Sequence, residues 1–138
     1  MVMLSDEATS KNLDVVFVMG AATEAGLLAA SELAERVEYG VATDDGSRGH
    51  RGLATEVIGD FVQWADQIYA CGPEPMYRTL RTVAEPLRID RKPSVQISVE
   101  RGMACGLGAC LGCVVETTHG MIASCIQGPV FDLDEIIL

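Results

Sequence analysis

Four cysteines stand at a spacing that is typical of metal binding. Cys105, Cys110 and Cys113 lie within nine residues, and Cys125 follows after eleven more, in the pattern Cys-x4-Cys-x2-Cys-x11-Cys. Three thiolates from one loop and a fourth from a later segment are the arrangement of a plant-type [2Fe-2S] centre. The spacing therefore predicts that these four thiolates hold two irons and two sulfides.

The loop between these cysteines, MACGLGACLGC, alternates glycines with small and apolar residues. An oxidised cluster with four thiolates carries a formal charge of about −2 and needs hydrogen-bond donors near its sulfurs. A backbone with little side-chain bulk and access to positive φ can wrap closely and direct successive N–H groups at those sulfurs. Gly106, Gly108 and Gly112 are the residues expected to allow this wrapping.

Two other uses of the cysteines remain open at this point. A zinc site also takes four cysteines, although zinc ribbons usually present two Cys-x2-Cys knuckles and this chain has one. Disulfides are disfavoured because the chain has an odd number of cysteines, five, and no visible export signal. The fifth, Cys71, stands apart from the others.

The elements that must position these residues follow an alternation of short strands and helices. Residues 13–92 show this alternation, which predicts an α/β fold with a doubly wound parallel sheet. Strands are predicted at Leu13–Met19 (buried on both faces), Tyr39–Thr43 and Gln67–Ala70, and helices at Thr23–Val37, around Leu53–Phe61, and around Met76–Val83.

The domain organisation is predicted to have three parts. Residues 1–12 are polar and aperiodic and are expected to form a flexible terminus, 13–92 the α/β domain, and 93–138 a β-rich cluster domain. In this last part Val95–Val99 and Val114–Thr118 alternate like strands. Some 45 residues bury too little apolar surface to be stable alone, so a bound metal centre would supply stability.

Two turns at the carboxyl ends of predicted strands form a candidate nucleotide site. Ligands of open α/β sheets bind beyond these strand ends. The residues concerned are Thr43, Asp44, Asp45, Gly46 and Ser47 in the first turn and Cys71, Gly72 and Pro73 in the second. Cys71 can equally be a small buried residue before a tight turn.

Charge and hydropathy exclude some classes of function. The formal net charge of −10 repels nucleic-acid backbones and anionic membrane surfaces, so neither is an expected partner. No apolar run reaches the roughly 20 residues of a membrane helix. Without a secretory signal in the first dozen residues, a cytoplasmic location is expected.

Several motifs together resemble one family. The segments SVERGMACGLGACLGCVV and GPVFDLDEI, with the TDDGS and CGPEPM turns, are similar to the electron-transfer subunit of NAD-linked, heterotetrameric dihydroorotate dehydrogenase. That family resembles ferredoxin reductases, with an FAD-binding barrel, an NAD-binding parallel sheet and a small [2Fe-2S] domain. The resemblance implies a partial ferredoxin-reductase-type NAD-binding sheet followed by the cluster domain.

The resemblance also implies a place in a redox chain. Electrons would pass from NADH to FAD, through the cluster, and to FMN of a separate catalytic subunit in pyrimidine biosynthesis. This sequence shows neither the FAD barrel nor the first strand-helix unit with its glycine-rich turn. We therefore expect the chain alone to retain no FAD, to bind NAD weakly, and to contain no substrate-converting site of its own.

Two alternative functions are weighed against this interpretation. One is the small subunit of an NADPH-ferredoxin or sulfide oxidoreductase of similar architecture, where the first cluster ligand is often an aspartate; Cys105 disfavours it. The other, from a different class, is a zinc-stabilised interaction module without a redox role. Visible absorption separates that module from an iron-sulfur protein, because zinc-thiolate sites are colourless.

Overall fold

The computed structural model of the chain describes residues 1–90 and 92–138. Contacts divide the chain into two units, residues 1–60 and residues 61–138. Both units contain parallel strand pairs, and helices accompany them, so the predicted α/β class is confirmed. The domain boundary expected between residues 92 and 93 stays a prediction. Within the described residues, no helix is both long and apolar enough to cross a membrane.

The first unit is built on a three-stranded parallel sheet. Its strands are β1 (Val16–Ala21), β2 (Glu38–Thr43) and β3 (His50–Arg51), in that order. The first two strands predicted from the sequence are therefore present, but β1 is half-buried where burial on both faces was expected. The helix predicted around Leu53–Phe61 is present as two short helices, α2 (Ala54–Val57) and α3 (Gly59–Val62).

The helix predicted over Thr23–Val37 is wrong. Two 3-10 turns occupy the segment, Glu24–Gly26 and Ala30–Glu32, with extended residues after each. The Tyr39 hydroxyl donates a hydrogen bond to the Leu28 carbonyl at 3.0 Å, which fixes the backbone in this irregular path. Contacts with the neighbouring strand thus override the helical spacing of the apolar residues.

Residues Val2–Ser10, in the part predicted to be aperiodic, form helix α1, and the flexibility of this terminus stays a prediction. Lys11 Nζ lies 2.8 Å from Glu7 Oε1, an ion pair one helical turn apart. The hydroxyl of Ser10 donates to the Glu7 carbonyl at 2.7 Å. Serine, threonine and aspartate are usually read as turn formers, so their presence here concealed the helix.

The second unit contains a three-stranded mixed sheet. Its strands are β4 (Gln67–Cys71), β5 (Ser94–Ser98) and β8 (Val130–Asp132), in the order β4-β5-β8. β4 and β5 are parallel, and β5 and β8 are antiparallel. Helix α4 (Glu74–Ala84) buries Tyr77, Leu80 and Ala84, which are spaced three and four residues apart on one face. The predicted third strand and its helix are confirmed.

A β-hairpin completes the second unit. It consists of β6 (Val114–Thr117) and β7 (Gly120–Ala123), and the short helix α5 (Ser124–Gln127) follows it. Val114 is paired with Ala123 at the open end of the hairpin. Cys113 immediately precedes β6, and Cys125 lies in α5 just after β7. The hairpin therefore carries two of the four candidate ligands at its open end.

Candidate metal centre

Two of the three glycines in the loop that carries the first three cysteines have the predicted conformation, and Gly112 does not. Gly106 and Gly108 have φ of +64° and +72°, in the left-handed region. A Cβ on Gly108 would lie 3.1 Å from Ile126 Cγ1, whereas one on Gly106 would meet no atom within 4 Å. Gly108 is thus required both by its backbone conformation and by its close approach to α5.

Leu111, between Cys110 and Cys113, also has a positive φ, of +57°. This conformation costs a non-glycine residue roughly 1–2 kcal/mol. The Leu111 side chain is 65% exposed, so burial in the core of the unit does not offset this cost. Backbone strain of this kind is concentrated at functional sites, so the strained turn before Cys113 is a candidate part of the functional site.

Neighbouring cysteines shift the pKa values of three of the four thiols. Backbone N–H groups of Cys110 and Leu107 lower the pKa of Cys105 to about 6, with a further contribution from the Cys110 side chain. Hydrogen bonds from the backbone and side chain of Cys125 lower the pKa of Cys113. The Cys113 side chain, and then burial, raise the pKa of Cys125. The largest of these effects come from Cys110 at Cys105 and from Cys125 at Cys113.

Backbone contacts fix the second pair. The Ser124 hydroxyl and the Ser124 backbone N–H both donate to the Cys113 carbonyl, at 2.8 and 3.1 Å. Ser124 is fully buried, and the Cys113 side chain is buried as well. The first pair is more open, since Cys110 is exposed and Cys105 half-buried. At Cys105 the sulfur accepts a hydrogen bond from Leu107 N at 3.4 Å.

These residues fit a two-iron centre. Across residues 1–90 and 92–138, no three Cys, His, Asp or Glu side chains converge on the position of a single metal ion. By position the donor set is two pairs of thiols, Cys105 and Cys110 in the loop and Cys113 and Cys125 at the open end of the hairpin, and the backbone N–H of Leu107 is directed at Cys105 Sγ. In a [2Fe-2S] centre each iron takes two protein ligands, so two thiol pairs match its stoichiometry.

The first candidate nucleotide turn, in residues 1–60, is closed by its own hydrogen bonds. The backbone N–H of Ser47 donates to Asp45 Oδ1 at 2.9 Å, and the Ser47 hydroxyl donates to the same oxygen at 2.6 Å. The hydroxyl contact is the main cause that lowers the pKa of Asp45. Thr43 is fully buried at the end of β2, and Gly46 has a φ of +76°. Asp44 is exposed at the start of the turn.

The second candidate turn, in residues 61–138, is tied to strand β5 by a tyrosine. The Tyr77 hydroxyl accepts a hydrogen bond from Gly72 N at 2.9 Å and donates one to the Ser98 carbonyl at 2.6 Å. Cys71 is exposed at the end of β4, with its Sγ 4.0 Å from Glu100 Oε1. Pro73 directly precedes helix α4. Cys71 is thus accessible, contrary to the alternative that it is a buried packing residue.

Sequence reasoning missed the residues that surround this second turn. A cavity of about 110 Å³ lies beside it, smaller than the roughly 300–1,000 Å³ of typical ligand pockets. Among its lining residues are Gly72, Pro73, Glu74, Tyr77, Glu100 and Arg101. Tyr77 gave no separate signal, because its position on the apolar face of α4 is that of an ordinary core residue.

Comparison with known proteins assigns the cysteine-bearing region to a family. Residues 100–137 match the family model described as the iron-sulfur cluster binding domain of dihydroorotate dehydrogenase B. The electron transfer subunit of dihydroorotate dehydrogenase B (NAD(+)) from Bacillus caldolyticus is 41% identical over 140 residues, which are 98% of this chain and 51% of that protein. The subunit from Listeria monocytogenes is 34% identical over 141 residues, 100% of this chain and 53% of that protein.

An Aquifex aeolicus homolog of this subunit is 41% identical over 106 residues, 75% of this chain and 39% of that protein. A solved structure of an NADH-dependent reduced ferredoxin-NADP oxidoreductase superposes with a TM-score of 0.80 at 23% identity, over 99% of this chain and 49% of that one. This likeness confirms the ferredoxin-reductase-type fold. The chain spans about half the length of the curated relatives that it matches. Residues 100–137 therefore match the iron-sulfur cluster binding domain of dihydroorotate dehydrogenase B, within a chain that resembles the electron transfer subunits of that enzyme along almost its whole length.

Proposed function

We propose that this chain relays single electrons through a [2Fe-2S] cluster on Cys105, Cys110, Cys113 and Cys125, as part of a dihydroorotate dehydrogenase complex. The observation that carries the proposal is the placement of the four cysteines: Cys105 and Cys110 lie in a loop with positive φ at its glycines, and Cys113 and Cys125 lie at the open end of a hairpin. The match of residues 100–137 to the iron-sulfur family supports it independently.

The chain's own residues supply the ligands and their orientation. Cys105 and Cys110 would hold one iron and Cys113 and Cys125 the other, following the two thiol pairs. When bound, the cluster accepts and gives up one electron at a time. The N–H group of Leu107 already points at Cys105 Sγ, and such donors to cluster sulfurs set the reduction potential.

The exposed surface of the cluster region favours docking of a flavoprotein. Three large apolar side chains in and next to the ligand segments are exposed: Leu107 at 79%, Leu111 at 65% and Ile126 at 59%. Apolar side chains exposed together are typical of interaction surfaces. We propose that an FMN-containing catalytic subunit of dihydroorotate dehydrogenase contacts these residues, so that the path for electrons into or out of the cluster is short.

The remaining predictions extend this proposal. Substrate conversion takes place in the partner subunit, with no substrate-converting site in this chain, and the complex is cytoplasmic. Residues 13–92 correspond to part of an NAD-binding domain, and residues 93–138 to the cluster domain. Thr43 to Ser47 and Cys71 to Pro73 contribute only part of a nucleotide site. Because these two turns do not contain the G-x-G-x-x-G pattern that holds a pyrophosphate, we expect that FAD is not retained and that NAD binds weakly.

Anaerobic purification or reconstitution tests the proposal. The protein should be red-brown, with about two irons and two sulfides per chain, as the four-cysteine spacing requires. Replacement of any of the four ligands by serine should lose or distort the cluster. Cys71→Ser is the matched control, because Cys71 is also exposed in the second unit but belongs to neither thiol pair; its iron content should equal that of the unmodified chain. A colourless protein with one zinc would overturn the proposal.

A further inference from the structure

An arginine of helix α4 contacts residues 133–137, called the C-terminal segment below. Arg81 lies in the last turn of α4, and its Nη2 donates hydrogen bonds to the carbonyls of Leu133 and Ile136, the latter at 2.6 Å. Leu133 and Ile136 are themselves buried. A single guanidinium nitrogen therefore holds two backbone oxygens that lie three residues apart.

The same C-terminal segment is hydrogen-bonded to the hairpin. Ile136 forms an antiparallel bridge with Thr117 at the end of β6. On either side of this bridge, Thr118 N donates to the Glu135 carbonyl at 2.8 Å, and Ile137 N donates to the Glu116 carbonyl at 2.9 Å. The segment thus acts as an additional strand beside β6, and Arg81 binds the carbonyl of its central residue.

A second arginine does not duplicate this contact. Arg88 forms a two-point ion pair with Asp134, with nitrogen-oxygen distances of 2.9 and 3.0 Å, and donates to the Pro93 carbonyl at 2.8 Å. These contacts join the beginning of the C-terminal segment to the residues just before β5. Arg81 is the arginine that reaches Ile136, the residue bridged to the hairpin.

We propose that Arg81 is a positioning residue for the electron relay: by holding Ile136, it fixes the hairpin that carries Cys113 and Cys125. The inference rests on the proposed function, since it concerns the geometry of those cluster ligands. The continuous path is Arg81, the Ile136 carbonyl, strand β6 and then Cys113 at its start. Loss of Arg81 should let the hairpin move relative to β5 without removing any ligand.

Hydrogen exchange and electron paramagnetic resonance of the cluster-loaded chain test the proposal. Arg81→Met removes all donors but keeps an apolar stem. Peptides containing the amides of Thr118 and Ile137 should exchange about tenfold faster, the effect expected from the charge-assisted hydrogen bond to the Ile136 carbonyl, which is one of the two bonds lost. Peptides from β4 and β5 should be unchanged. The g values of the reduced cluster should shift, or its resonance lines should broaden, while the iron content stays equal to that of the unmodified protein.

Arg78→Met is the matched control, because Arg78 lies one turn earlier on α4, its replacement removes the same charge, and its guanidinium pairs with Glu74, which keeps a second partner in Arg101. It should leave both measurements unchanged. Arg81→Lys has a shorter side chain with one nitrogen, so its exchange rates at the same two amides should lie between those of the unmodified chain and Arg81→Met. If Arg81→Met does not fold, the exchange rates of Arg81→Lys test the proposal.

Either of two exchange results would overturn the proposal. One is unchanged exchange at Thr118 and Ile137 in the Arg81 variants, and the other is equally faster exchange in β4 and β5, which would indicate only a loss of global stability. An unchanged resonance signal together with faster local exchange would also overturn it, since the hairpin would then move without affecting its cysteines. If the unmodified chain holds no [2Fe-2S] cluster, the proposed function fails, while the exchange data still report whether Arg81 holds the hairpin.

Discussion

The hydroxyl of Tyr77 offers a precise test of how the second candidate turn is held, because Tyr77→Phe removes one oxygen and keeps the ring. Tyr77 is only 2% exposed, and its hydroxyl makes two hydrogen bonds, to Gly72 N and to the Ser98 carbonyl. Burial raises the pKa of this phenol, so the hydroxyl stays protonated and able to donate at neutral pH. The variant therefore loses one accepted and one donated bond.

Each neutral hydrogen bond contributes about 1 kcal/mol net, so two should contribute about 2 kcal/mol to the free energy of unfolding. The adjoining cavity of about 110 Å³ can admit water to re-pair part of the loss, which makes about 1.5–2 kcal/mol the expected range. Urea unfolding followed by circular dichroism measures this as a lower midpoint at an unchanged slope.

Tyr69→Phe is the control for this measurement. Tyr69 lies on β4 and is 44% exposed, and its hydroxyl has no hydrogen bond to any residue of the described ranges 1–90 and 92–138. Its replacement should change the free energy of unfolding by less than about 0.5 kcal/mol, as surface substitutions usually do. If Tyr77→Phe is no more costly than Tyr69→Phe, the hydroxyl does not hold the turn and the reasoning is refuted.

Three further predictions concern the cluster and the nucleotide. Leu111→Glu should slow electron transfer with the flavoprotein partner by about tenfold at unchanged iron content, because it puts a charge on an apolar contact surface. Met3→Glu, in the first unit, should not slow the transfer, and stopped-flow absorbance measures both rates. Gly108→Ala should release iron to a chelator faster than Gly106→Ala, since both have positive φ but only Gly108 meets a neighbour, Ile126; equal rates would contradict this. NADH should bind the isolated chain in the millimolar range or not at all, about 4 kcal/mol or less, and micromolar affinity by calorimetry would show that a complete site exists.

The cysteine loop could be predicted from the sequence because its chemistry is local. Ligand spacing and glycine positions are properties of a short segment, and the structure shows the expected positive φ at Gly106 and Gly108. Strands β1, β2, β4, β5 and β6 were predictable for a similar reason, since short apolar runs mark them, whereas β3, β7 and β8 were not predicted. The positive φ of Leu111 was not predictable, because leucine does not favour that conformation in isolation.

Long-range contacts explain what the sequence did not reveal. The segment from Thr23 to Val37 has helical spacing, yet it is held in an irregular path by Tyr39. Arg81 contacts carbonyls that are 52 and 55 residues further along the chain, and no sequence pattern encodes such a pairing. Tyr77 was missed for the same reason. In the sequence it is one more apolar residue on the periodic face of α4, and nothing there indicates that its hydroxyl joins two strand ends.

Reduction of the cluster-loaded chain by alternative donors tests the central claim most directly. A hydride carries two electrons and the cluster takes one, so a flavin must stand between NADH and the cluster. Freeze-quenched samples mixed with an FMN-bearing dihydroorotate dehydrogenase subunit and dihydroorotate should show the resonance signal of a reduced [2Fe-2S] centre, and samples mixed with NADH alone should not. Rapid reduction by NADH without flavin, or no reduction by the flavoprotein partner, would contradict the account.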